Sequence, residues 1–222
     1  MIRQLTAACA ATALATTASA GSVQVVGGAT SVLLDTDALS SAASLTLSGV
    51  STDVGSSTDI AGGVAFSINP TDASSLPTTF MYDPADFLGT FSGTIEHTGS
   101  VFFNSDTVEV GNFTIGFDAG RAVGDASGFF VESTTGIAAI LFDIETPSSL
   151  SALSDSLQIG ADLLVSPEFA SFLQTNSLAS ADLTGVDVGD AFVNATSVPT
   201  PSAAAGILFG LGALGLRRKR TA

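Results

Sequence analysis

Between residues 21 and 197 the apolar positions come in short runs broken by Gly, Ser, Asp and Pro. Runs of that length bounded by turn formers read as strands. Candidate strands cover residues 31–34, 43–50, 63–68, 79–82, 87–96, 100–104, 107–118, 128–132, 137–143 and 157–164. Several alternate with a period of two, so that Leu45 and Leu47 share a face, as do Phe87, Gly89, Phe91, Gly93 and Ile95. From Val108 to Phe117 the apolar parity switches: Val108 and Val110 are even, whereas Phe113, Ile115 and Phe117 are odd. A bulge near Gly111 and Asn112 would return both sets to one face. Residues 137–142 are continuously apolar, as expected of a central strand covered on both sides. One helix is predicted where Ser166 offers a cap, Pro167 a first helical residue and Glu168 an early acid. Phe169, Phe172 and Leu173 then follow at helical spacing. The pattern predicts a single all-β domain, an antiparallel β-sandwich of jelly-roll type, with one short helix near its C-terminal end.

Composition sharpens this. Hydrophobic residues make up 45% of the 222 and charged residues 12%, enough for a core, and the polar remainder is mainly Ser, Thr, Gly and Asp. Those side chains compete with a helical backbone for hydrogen bonds and favour strands and turns. The six basic residues are Arg3, Arg121, Arg217, Arg218, Lys219 and Arg220, and all 21 acids lie between the terminal segments. The domain therefore sets 21 carboxylates against one guanidinium, a formal charge of −20. Nucleic acid and anionic membrane surfaces are electrostatically opposed as partners. Divalent cations, cationic partners or simple solubility remain. The only cysteine, Cys9, lies outside the domain, which leaves no disulfide, thiolate nucleophile or cysteine metal site within it.

The two ends read as addresses. Arg3, an Ala-rich stretch and Ala18-Ser19-Ala20 before Gly21 form a secretory signal peptide over residues 1–20. At the other end Val198-Pro199-Thr200-Pro201 precedes 15 apolar residues, 202–216, and then Arg217, Arg218, Lys219 and Arg220. The prolines predict an extended, accessible linker. As a helix the apolar stretch would span roughly 22 Å, short of a ~30 Å bilayer core, and the basic run would stop transfer. Gly206 and Gly210 would let a second helix approach closely. This three-part tail, residues 198–222, resembles the PEP-CTERM sorting signal of Gram-negative bacteria, with Thr200 where that family usually has Glu. The resemblance implies recognition by an exosortase-type membrane protease, transient anchoring in the inner membrane, then transfer to the cell surface or release. It also implies association with exopolysaccharide.

Catalytic side chains are few. Residues 21–197 hold one His, one Arg and one Tyr, with no Lys, Cys or Trp. There is no Gly-x-Ser-x-Gly elbow, and His97 sits in Glu96-His97-Thr98-Gly99, which reads as a strand end entering a turn. That placement predicts a structural or exposed turn histidine rather than a catalytic one. Two carboxylates alone can hydrolyse glycosides, but no spacing marks such a pair. Sugar grooves favour flat aromatic platforms, and Tyr82 is the one tyrosine available; the 14 Phe residues ahead of the tail read as core. Calcium needs clustered oxygen ligands in loops. The candidates are Asp35 with Asp37, and Asp182, Asp187 and Asp190 around Gly185 and Gly189, although neither group matches an EF-hand. The leading expectation is a non-catalytic surface or matrix protein. A carbohydrate-binding module with a groove at Tyr82 and a carboxylate-dependent glycoside hydrolase stand as alternatives.

Overall fold

The computed structural model describes residues 21–200. The strands are β1 (Val23–Leu34), β2 (Leu47–Val50), β3 (Gly55–Ser56), β4 (Val64–Ser67), β5 (Met81–Tyr82), β6 (Ile95–Glu96) and β7 (Ser100–Phe103). They continue with β8 (Val108–Phe117), β9 (Ala126–Gly136), β10 (Ala139–Glu145), β11 (Ser149–Ala152), β12 (Ser156–Val165) and β13 (Asp187–Pro199). Three short helices, α1 (Thr36–Ala43), α2 (Phe87–Thr90) and α3 (Pro167–Thr175), lie among them.

All of these strands belong to one antiparallel sheet, in the order β2-β7-β8-β9-β10-β12-β13-β1-β4-β3, with β11 on β12, β5 on β1 and β6 on β8. The two separate sheets of the expected sandwich are thus joined into one that curls as a half-barrel, so that opposite stretches face each other across the core. The path from β7 to β13 is a meander rather than a jelly roll, and β13 then returns to pair with β1 along almost its whole length. Register shifts at Val25/Gly27, Ile140/Phe142, Asp143/Glu145 and Asp162/Leu164 bend the strands, each adding to the right-handed twist that drives curling. Residues 78–97 span the gap between the two sides of the curl. Met81 and Ser92 exchange backbone bonds of 2.9 Å, Thr79 N–H donates to Thr94 O, β5 pairs with β1 and β6 pairs with β8.

Several expected elements are in place. Ser166 caps α3, its Oγ accepting from Phe169 N–H, Pro167 opens the helix, and Phe169 and Leu173 are buried. β10 runs between β9 and β12 with α3 laid across it, the Phe142 and Phe169 rings meeting edge-on at 6.0 Å. The parity switch in β8 occurs where expected: Asn112 takes a left-handed φ of 49°, and Val110, Phe113 and Ile115 are all buried. Between the pairs Glu96↔Thr114 and Ser100↔Gly111, residues 97–99 face residues 112 and 113, so the extra residue lies in the partner segment rather than in β8, where the bulge was expected.

Two runs fold differently. The period-two run 87–96 is not one strand. Asp86 accepts from Gly89 N–H and starts the single turn α2, and Gly93 turns the chain at φ 83° before β6. What places these phenylalanines is the aromatic cluster of Phe80, Phe87 and Phe91, with centroids 5.6–6.3 Å apart. The run 43–50 loses its first residues to α1, which Ser44 ends in a left-handed conformation. Leu45 is therefore buried while Leu47 is 40% exposed.

Adjacent glycines in β1 test the seam with β13. Gly28 has φ 117° and a Cβ there would run into the Asn194 carbonyl, whereas a Cβ on Gly27 meets nothing within 4 Å. Gly28→Ala is expected to cost about 2 kcal/mol or more and Gly27→Ala to stay within about 0.5 kcal/mol, read by denaturant unfolding.

Candidate functional site

The concave face of the half-barrel holds a partly open cavity of about 100 Å³ whose accessible surface is apolar. The polar side chains at its edge are Thr30 and His97, and both are engaged. His97 is 2% exposed, with Nε2 2.7 Å from Thr30 Oγ1 and Nδ1 3.1 Å from the Phe113 carbonyl. A carbonyl only accepts, so Nδ1 carries the proton and Nε2 accepts from Thr30. Burial pushes the imidazole down to about 4, against the Phe113 hydrogen bond, which acts the other way. The histidine is structural, as its sequence context predicts, and it is buried rather than exposed.

The other two versatile side chains are equally committed. Arg121 Nε donates to Asp143 at 2.6 Å, its two terminal nitrogens grip Glu168 at 2.7 and 2.8 Å, and its guanidinium lies 5.8 Å from the Phe130 ring. Glu168 above all holds the guanidinium's pKa up, and Arg121 in turn holds the Glu168 carboxyl below its usual value. The Tyr82 hydroxyl lies 2.7 Å from Leu153 O, 3.0 Å from Ser156 O and 3.0 Å from Ser197 Oγ, and burial raises its pKa. Tyr82 is 1% exposed, so it offers no platform to a sugar. A groove at Tyr82 is corrected on that ground.

The acids fall into a different grouping from the one expected. Asp35 caps α1, accepting from Asp37 and Ala38 N–H. Asp182 closes a turn onto Thr184, and Asp187 accepts from Gly189 N–H. Asp190 instead stands directly opposite Asp162 across β12 and β13. Glu145, at the end of β10, completes a row of acids over three neighbouring strands. Desolvation first, then the neighbouring Asp162, raises the pKa of both Asp190 and Glu145; Asp187 adds to both and Asp125 to Glu145. The row borders an open cleft of about 440 Å³ that also takes in Asp59, Ser148 and Ser149. Among the described residues no group of three or more His, Cys, Asp or Glu is placed to hold a metal ion. Asp162 and Glu145 carry no local motif; only the cross-strand register finds them.

The stretch expected to open a sorting motif begins inside the sheet. Val198 pairs with Gln24 and Pro199 with Val23. Thr200 N–H and Oγ1 both donate to the Ser22 carbonyl, at 2.9 and 2.6 Å. The folded domain therefore reaches residue 200 rather than 197, and the expected open linker does not start at Val198. Threonine at position 200 also gains a reason: its hydroxyl donates to Ser22 O, which an ionised glutamate cannot do. Ala18, Ala20, Pro201, the apolar stretch 202–216 and the run Arg217, Arg218, Lys219, Arg220 lie outside the described residues, while Gly21 opens them. Among the described residues no helix is long and apolar enough to cross a membrane.

No protein-family model matches the chain, and no curated protein sequence does. Among solved structures, the C-terminal domain of HtaA from Corynebacterium glutamicum is similar with a TM-score of 0.46 and 17% identity, covering 79% of this chain and 99% of that one. A likeness at that level leaves function to be read from this chain's own residues.

Two titrations of opposite sign follow. The unfolded chain protonates His97 near 6.5, whereas the folded one resists until about 4. Stability is therefore lost as pH falls from 6.5 to 4, by about 3 kcal/mol in total. His97→Gln is expected to flatten that slope in chemical unfolding followed across the window. The acid row acts the other way: its raised carboxyls favour the fold at low pH and lose that contribution as pH rises through their folded values. Asp162→Asn should raise the thermal midpoint at pH 7, a gain of about 0.2–1 kcal/mol that shrinks in high salt.

Proposed function

We propose that this chain is an exported, non-catalytic protein of the cell surface or extracellular matrix. A leader at residues 1–20 sends it out, and the PEP-CTERM-like tail at 198–222 sorts it. The tail holds it transiently in the inner membrane until an exosortase-type protease cuts it, and the mature protein then associates with exopolysaccharide. The observation that carries the non-catalytic part is the commitment of His97, Arg121 and Tyr82 to holding the fold. These are the side chains best suited to activating a nucleophile or stabilising an anion within the domain, and each is already saturated. The pairing of Val198 and Pro199 with β1 sharpens the processing step. A protease needs its substrate extended and unpaired, so the cut falls beyond Thr200.

A second reading rests on the cleft. Its carboxylates and hydroxyls, from Asp59, Asp190, Ser148 and Ser149, suit sugar hydroxyls in a carbohydrate-binding module. Of the acids expected to bind calcium, Asp190 is the one that borders this cleft. A rise of several degrees in the thermal midpoint with millimolar calcium, reversed by chelator, would favour the ion, and no shift would argue against it. Glycan-array binding lost in Asp190→Asn would favour the sugar.

For the leading reading, intact-mass measurement of protein recovered from the outer surface should give an N-terminus at Gly21 and a C-terminus at Thr200, Pro201 or Ser202. Recovery of surface protein that still ends in Ala222 contradicts it.

A further inference from the structure

We propose that the cavity inside the half-barrel is a binding site for one small uncharged hydrocarbon. Protein interiors are packed nearly as tightly as organic crystals, and voids larger than a water are few. This one, about 100 Å³, approaches the size of engineered apolar cavities that stay dry and take up benzene or xenon. Water is a poor occupant. It needs two to four polar partners, and the polar side chains at the wall, Thr30 and His97, bond to each other while His97 Nδ1 bonds to the Phe113 carbonyl.

The register shows where the space comes from. Ala161 stands opposite Ala191, Ala191 opposite Val32, and Val32 opposite Val64, so four neighbouring strands present small side chains to the interior at one level. Across the curl the wall is made of large residues, among them Phe113, Phe129 and Phe142. The inference stands on the cavity alone and holds whether or not the tail is sorted as proposed above.

The test uses the mature full-length protein with n-butane supplied through the vapour phase. Methyl NMR shifts of Ala161, Ala191, Val32 and Val64 are followed together with the thermal midpoint. Saturable butane shifts confined to those methyls and a higher midpoint are the expected results. Ala161→Leu and Ala191→Leu, which fill the space, should each weaken butane at least tenfold. No saturable butane shift up to aqueous saturation overturns the proposal, and so does undiminished butane binding in a folded filled variant. Should either leucine variant fail to fold, xenon-129 NMR on the unaltered protein decides: a bound signal displaced by butane supports the site, and its absence overturns it.

Discussion

The rest of the structure depends on the pairing of the first long strand with the last. β1 and β13 are matched from Val23↔Pro199 to Leu34↔Gly189, joining residues far apart in sequence. This seam joins the meander to β4, β5 and the segment that spans the gap of the curl, and it forms one wall of the cavity. It is also costly to form, because its loop closure takes in the whole intervening domain. Such a seam has to be well specified. Gly28 lets β1 bend against the Asn194 carbonyl, and Thr200 ties the outer end to Ser22.

The charge imbalance reads differently once the strands are placed. With 21 acids and Arg121 the only base within the domain, pairing could never be general. The one base is used where it fastens most, joining the end of the turn at 119–121 to β10 through Asp143 and to α3 through Glu168. Most of the other carboxylates cap helices, close turns or face solvent, as Asp35, Asp86, Asp118 and Asp182 do. The exception is the row of Glu145, Asp162 and Asp190, where like charges sit on adjacent strands. It weakens the fold at neutral pH and gives the cleft beside it a concentrated acidic wall.

What the sequence disclosed was local. The cap, proline and spacing of α3 were legible because they concern residues three and four apart, and the irregularity at Asn112 because a change of parity needs a local break, although the extra residue lies across from it in segment 97–99. The run 87–96 misled for the same reason: its alternation is real, but Asp86 capping a turn and Gly93 at positive φ outweigh it. Longer-range features carried no local signature. One curled sheet in place of two, the partnering of Asp162 with Asp190, and the facing of Ala161, Ala191 and Val32 all depend on which strands become neighbours. The burial of Tyr82 depends likewise on the distant carbonyls of Leu153 and Ser156.

The seam has a consequence at the edge of the fold, since it holds Val198 and Pro199, the opening of the proposed sorting motif, within the sheet. Hydrogen exchange at the Thr200 amide measures this directly, because that N–H bonds to Ser22 O. In the mature full-length protein it should be strongly protected and should slow in parallel with the amides of β13. Exchange at the rate of an unstructured peptide would contradict the account and return Val198, Pro199 and Thr200 to an open linker.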